Sequence, residues 1–259
     1  MKKIKIIFFL GLMIIIEFMI SACHFNNDPF NSVESGDFIY ATNISCFNGK
    51  EDEVAIIGLS EQGKKKEIIV FPNMIDGHRV VAFGAKFGYE NTGPIIIENA
   101  KKVYFCNLFI EYNNVKTYFE YKTNNIEIFI GGSGTKQHKP FGEFLDENSV
   151  NYVDEYLYQR FNSLYSKDFN LSVATIVYYI EEESCYFVDY VENEKVNVIP
   201  PEPYKEGYIF DGWYKNLEYT EKWDFDNDIV VPSSKEKEFE EDVDYEPIKI
   251  YAKWNENNR

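Results

Sequence analysis

The chain has 259 residues, with 26 Lys and Arg against 43 Asp and Glu, and a formal net charge of −17. So acidic a surface repels phosphate backbones, which excludes nucleic-acid binding as a function. Aromatic residues make up 17% of the chain, as 20 Tyr and 22 Phe among many Ile and Val, and that mixture favours sheets over helices.

The first element is a processing signal. Lys2, Lys3 and Lys5 precede an apolar run over residues 6–20, and Ser21-Ala22-Cys23 closes it. This segment resembles a bacterial lipoprotein signal. The resemblance implies removal of residues 1–22 and diacylation of Cys23, the lipid-attachment residue, so that the bilayer is a partner and the protein is anchored at the cell membrane, externally exposed. A plain secretory signal with a coincidental cysteine and a retained membrane anchor are the competing readings. Glu17 counts against retention, because a charge in hydrocarbon is costly. No later apolar run has transmembrane length. The signal holds three lysines and one glutamate, so the remainder of the chain carries −19. Residues 23–36 are polar and turn-prone and read as a lipidated tether.

Residues 37–148 read as a β domain. Strand-like runs fall at 53–58, 67–71, 79–84, 94–97, 102–106, 115–119 and 125–131, with turn residues between them. Asp76-Gly77 supplies the chemistry of a tight turn. Steps near 20 residues link Arg79, Lys102 and Asn125, the period of a short-strand solenoid. Such repeats bury their faces only by stacking on neighbours. Residues 54–58, 66–72 and 75–84 resemble the opening of surface leucine-rich repeats of the BspA type. Residues 85–131 depart from that pattern, with Ile, Phe and Tyr in place of leucine, and a generic small β-domain is the alternative.

Residues 149–171 read as a short helical linker or cap. Leu157, Phe161, Leu164 and Tyr165 recur at three- and four-residue spacing, the mark of an amphipathic helix.

Residues 172–254 carry an ordered series of aromatics: Gly207-Tyr208-Ile209-Phe210-Asp211-Gly212-Trp213-Tyr214, then Trp223-Asp224-Phe225, then Tyr251-Ala252-Lys253-Trp254. The series closely resembles the Listeria–Bacteroides repeat, or internalin B-repeat. The resemblance implies a small β-grasp-like sheet, with a first strand at 175–179 and a second at 194–198. By alternation Tyr208 and Phe210 share a strand face, and Gly212 permits a turn that brings Trp213 inward. Tyr208, Phe210, Gly212, Trp213, Trp223, Phe225, Tyr251 and Trp254 are expected to form the structural core of this domain. Two features depart from the family: residues 181–184 replace a glycine-rich turn, and an acidic insertion spans 232–247. Residues 255–259 are a tail.

No chemistry-bearing motif survives inspection. The run from Asp224 to Asp228 opens like a calcium loop, but Ile229 and Lys235 stand where an EF-hand needs Gly and Glu. The glycine-rich stretch 131–136 lacks phosphate-loop spacing. His78 lies near Asp76 without a motif-placed nucleophile, and His138 has no partner motif. Cys46, Cys106 and Cys185 are too dispersed for a metal site and read as buried thiols. The expectation is therefore a mainly β surface lipoprotein, not an enzyme, with no cofactor and no metal. Its leucine-rich-repeat-like β-solenoid precedes a β-grasp-like domain. It mediates adhesion or interaction with an extracellular protein or glycan, and the binding reading expects a contiguous patch on the repeat sheet. The alternative is a structural envelope or spacer lipoprotein without a specific ligand.

Overall fold

A computed structural model describes residues 30–42, 52–87, 90–107, 116–117, 119–132, 147–165, 169–181, 184–235 and 244–257. The signal segment, Cys23, most of the tether, Cys46, His138 and most of the acidic insertion lie outside the described residues. Ser32–Arg259 form one compact unit.

The unit is mainly β. In chain order its elements are β1 (Ser32–Ser35), β2 (Phe38–Ala41), β3 (Glu53–Leu59), β4 (Ile68–Phe71), β5 (Met74–Ile75) and β6 (His78–Phe83). Next come β7 (Ala85–Phe87), β8 (Glu90–Asn91), β9 (Ile95–Ile97), β10 (Lys102–Phe105), β11 (Lys116–Thr117), β12 (Phe119–Tyr121), β13 (Glu127–Ile130) and β14 (Val150–Val153). Helix α1 (Glu155–Tyr165) is followed by β15 (Asn170–Val173), β16 (Ile176–Glu181), β17 (Ser184–Asp189), β18 (Tyr208–Tyr214), β19 (Ser233–Ser234), β20 (Tyr245–Glu246) and β21 (Ile248–Glu256).

Each predicted run of the first region holds a strand, and the turn at Asp76-Gly77 forms as its residue types dictate. Both residues have positive φ, +49° and +82°, and they join β5 to β6 as a two-residue hairpin. The Asp76 carboxylate also accepts hydrogen bonds from Ser35 Oγ at 2.9 Å and Tyr40 Oη at 3.1 Å.

The pairing differs from the expected period. Arg79 aligns with Glu53, as β6 runs parallel to β3, and not with Lys102. Lys102 belongs to a second series, a five-stranded parallel sheet ordered β15-β14-β13-β10-β4. In it Ile68 aligns with Lys102, Lys102 with Glu127, Glu127 with Val150 and Val150 with Asn170. The sheet therefore continues through β14 and β15, on either side of the helix, in residues expected to form only a helical linker or cap. The helix itself forms where its spacing placed it. Asp154 caps it, accepting the Leu157 N–H at 2.9 Å, and Leu157 is buried.

Side chains of the parallel sheet alternate between two cores. Ile69, Phe71, Val103, Phe105, Ile128, Ile130 and Val153 point inward, toward Val54 and Ile56 of β3 and Ile95 and Ile97 of β9. Phe71 anchors this core, stacked on Phe105 at 5.0 Å and edge-on to Phe83 at 5.6 Å and Phe119 at 5.4 Å. The opposite face points toward the C-terminal sheet, ordered β17-β16-β21-β18. There β16 and β17 form a hairpin, β21 runs parallel to β16, and β18 pairs antiparallel to β21. The second strand of this sheet is β17 (Ser184–Asp189). Residues 194–198, expected to supply it, instead form a loop tied by the bridge between Glu194 and Val230.

Candidate functional site

The outward face of the parallel sheet is the surface on which the sequence placed ligand contact. Its central row, in register, is Val70, Tyr104, Phe129, Tyr152 and Ser172. Tyr104 and Phe129 stack at 4.2 Å and Phe129 and Tyr152 at 4.8 Å. Strand β17 lies across this row and buries it: Phe187 stacks on Tyr104 at 5.1 Å, and Tyr190, just beyond the strand, stacks on Tyr152 at 4.7 Å. The approach is close. Asn107 N–H donates to Tyr186 C=O at 2.7 Å, and a Cβ on Gly131 would lie 2.1 Å from that same oxygen. Most of the expected binding face is thus occupied by the chain's own C-terminal sheet.

A polar hub fixes the junction. Asp189 is fully buried at the end of β17. Its Oδ1 accepts from Tyr104 Oη at 2.9 Å, Tyr190 N–H at 2.9 Å and Asn197 Nδ2 at 2.9 Å, while Oδ2 accepts the Asn197 N–H at 2.7 Å. Lys102 reaches the hub's rim, donating to Asn197 Oδ1 at 3.0 Å and pairing with Glu127 at 3.2 Å. A buried carboxylate tolerates its burial when so many donors meet it. Burial, reinforced by the Asp189 charge, pushes the Tyr104 phenol far above its usual range, so it remains a donor. Burial likewise raises the Tyr152 phenol, with Glu127 adding to the effect.

At the far end the junction opens. A cleft of about 300 Å³ is walled by Tyr152, Tyr158, Tyr190 and Tyr245, with Ser172 and Asp244 contributing polar atoms. Tyr190 Oη donates to Glu192 at 2.7 Å, and Tyr245 Oη donates to the Val173 carbonyl.

The residues expected to form the C-terminal core divide. Trp213 and Trp223 are buried, and Trp213 meets Tyr178 edge-on at 5.1 Å. Phe210, Phe225 and Trp254 pack half-buried at the margin of that cluster, and Trp254 Nε1 donates to the Ile180 carbonyl at 3.0 Å. Tyr251 is half-buried against Tyr179 at 5.8 Å. Tyr208 is not core: it is 40% exposed, with the Lys205 ammonium 4.7 Å from its ring centroid. Gly212 marks a β-bulge rather than a turn. The register slips between Phe210 and Gly212, φ is +137°, and a Cβ would lie 2.3 Å from Lys222 Cε.

The other candidates resolve by geometry. The carboxylates of 224–228 close their own turn: Asp228 accepts the Asp224 N–H at 2.8 Å, and Asp224 accepts the Asp226 N–H at 2.9 Å and Asn227 Nδ2 at 2.7 Å. Hydrogen bonding from Asn227 holds the Asp224 carboxyl below its usual range. Among the described residues no group of three or more His, Cys, Asp or Glu could hold a metal ion. Cys106 and Cys185 are free and buried, and burial pushes both thiols up, away from reactivity. His78 lies 6.1 Å from the Tyr40 ring. Among the described residues no helix is long and apolar enough to cross a membrane.

Comparison with known proteins bears on the C-terminal sheet. Residues 175–236 match the Listeria-Bacteroides repeat domain. This stretch is a Listeria–Bacteroides repeat domain. The match covers β16, β17 and β18 and ends inside the acidic insertion, before the final strand β21. The repeat is a non-catalytic, surface-type module. A protein of Evansella cellulosilytica named "Putative membrane protein" is 36% identical over 59 residues, 23% of this chain. The chain spans only 7% of that protein's length. No solved structure matches the chain.

Tyr104, Asp189, Asn197, Ser172 and Tyr190 were not legible as a site. One signal was present. Runs such as Val103-Tyr104-Phe105-Cys106 and Ile128-Phe129-Ile130 are apolar at successive positions, which marks strands buried on both faces.

Proposed function

We propose that the chain is a bacterial surface lipoprotein, held externally on the cell membrane by a diacylated Cys23, and that its compact unit mediates adhesion or interaction with an extracellular protein or glycan. The lysine-rich apolar segment ending in Cys23 supports the address, and the surface-type repeat domain at 175–236 supports the role. The observation that carries the interaction reading is the tyrosine-walled cleft at the open end of the junction. We read the parallel sheet as the face of a leucine-rich-repeat-like solenoid, which its short in-register strands and their advance along the chain support. The strand order β17-β16-β21-β18, with a parallel central pair, supports a β-grasp-like C-terminal domain.

One observation favours the alternative of a structural spacer. The broad outward face of the parallel sheet is buried, which leaves a cleft rather than a wide patch for contact. Two experiments decide. Soluble protein beginning after Cys23, tested against host surface proteins and cell-wall glycans, captures a ligand under the interaction reading and none under the spacer reading. Cys23→Ala releases the protein from membranes and abolishes fatty-acid labelling. A variant that stays labelled and membrane-bound overturns the anchor.

A further inference from the structure

Ser172 stands where the aromatic row would place its next ring. The row runs Val70, Tyr104, Phe129, Tyr152, Ser172, one residue per strand in register. Its rings are spaced 4.2 and 4.8 Å apart, contacts typical of stacking. At Ser172, on the edge strand β15, a hydroxymethyl group replaces a ring, and the space so left is the cleft of about 300 Å³. Cores do not leave such gaps without consequence, because a void forfeits the contacts of its walls. Here the gap is open to solvent and its rim is hydroxylic.

We propose that this cleft binds a neutral hexopyranose unit of a glycan, stacked against Tyr152 and Tyr190 in the place of the missing ring; the inference rests on the interaction reading above and names its ligand class. A pyranose fits for three reasons. Its flat C–H face carries partial positive charge and lies well on the electron-rich face of a tyrosine ring. Its hydroxyls meet groups that can answer them: the Asp244 carboxylate accepts, and the Ser172 hydroxyl and the tyrosine oxygens donate or accept. Its size suits a cleft at the small end of ligand sites.

The same walls disfavour other occupants. The one charged residue lining the cleft is Asp244, and the chain as a whole carries −17, so sialylated, sulfated or phosphorylated ligands meet repulsion without a cation to pair them. An aromatic side chain of a peptide would complete the row but set hydrocarbon against the Ser172 hydroxyl and the Asp244 carboxylate, and polar groups covered without a partner cost free energy.

The test uses the full chain in detergent, applied to immobilised neutral oligosaccharides ending in glucose, mannose, galactose or N-acetylglucosamine, beside sialylated and sulfated ones and a proline- and tyrosine-rich peptide. The wild type is expected to bind at least one neutral glycan and no anionic one. Tyr190→Ala is expected to weaken that binding about tenfold or more. Ser172→Tyr adds the missing ring and is expected to abolish binding, with thermal unfolding unchanged or raised. That second variant separates blockage of the cleft from loss of fold. Neutral-glycan binding untouched by either variant overturns the site and leaves the interaction reading standing. Binding of the peptide or of anionic glycans alone overturns the ligand class. If the wild type captures neither glycan nor protein, both readings fall.

Discussion

The two faces of one parallel sheet are built from the same strands and do different work. The inward face carries Ile69, Phe71, Val103, Phe105, Ile128 and Ile130, side chains with no polar atom, and forms an ordinary core. The outward face carries Tyr104, Phe129 and Tyr152, and it meets a second sheet whose buried Asp189 takes the Tyr104 hydroxyl. An all-hydrocarbon face can be covered by anything apolar of the right shape. A face of stacked tyrosines specifies its cover, because each buried hydroxyl needs a partner at a fixed place. The difference teaches that the row is a docking interface within the chain, and that what remains of it for other molecules is its uncovered end.

Four substitutions probe that contrast, here from the largest expected effect to the smallest. Phe105→Ala removes the ring that stacks on Phe71 in the inward core, and is expected to destabilise the unit by about 4 kcal/mol, read by urea unfolding. Gly131→Ala sets a methyl against the Tyr186 carbonyl, 2.1 Å away before relaxation, and is expected to cost about 3 kcal/mol by forcing β17 off the parallel sheet. Its signature is separate unfolding of the two sheets, seen as loss of coincidence between tryptophan fluorescence and far-UV circular dichroism, because Trp213, Trp223 and Trp254 all lie in the C-terminal domain. A single coincident transition would show that the junction is softer than drawn.

Asp154→Asn acts in the opposite direction. Burial pushes the Asp154 carboxyl up to about 6 from 3.8, against the lowering effect of its hydrogen bond from Leu157. The folded state therefore binds this proton more tightly than the unfolded state does. The associated stability is fully present below about pH 4 and is lost as pH rises through about 6. Asparagine keeps an N-cap acceptor and carries no charge, so above pH 6 the variant is expected to be the more stable by about 2 kcal/mol. Measured as a difference between variant and wild type, the gain should shrink toward zero near pH 4. A pH-independent difference would deny the burial of this carboxylate.

Tyr104→Phe keeps the stacked ring and deletes one donor to Asp189, for an expected loss of about 1.5 kcal/mol. The corresponding inward change has no hydroxyl to lose, and that asymmetry between the faces is what the variant measures. If Tyr104→Phe is neutral, the hub is not what fixes the junction.

Legibility in the sequence followed the range of the interaction. Strands of the first region, the Asp76-Gly77 hairpin and the capped helix could be read because alternation, turn chemistry and capping act over a few residues. Pairing could not. Arg79 and Lys102 sit at a plausible repeat distance, yet they belong to two interleaved series, and nothing local distinguishes them. β14 and β15 were missed because Val-Asn-Tyr-Val and Asn-Leu-Ser-Val carry polar residues in short runs, and only their place beside β13 makes them strands. Tyr208 shares its strand with Phe210, as alternation requires, but it pairs with Glu256 near the end of the sheet, where no neighbouring element covers it.

The sequence by itself determined the character of the pieces: an acidic, aromatic, mainly β chain with a Listeria–Bacteroides repeat near its end and no motif for catalysis. Tertiary structure alone decided that the repeat's own strand β17 covers the outward tyrosines, that Tyr104 finds Asp189 across 85 residues, and that the row stops short at Ser172. The physical reason is that backbone geometry sets which way a side chain points from its own strand, whereas what it then meets depends on the packing of residues far away in the chain.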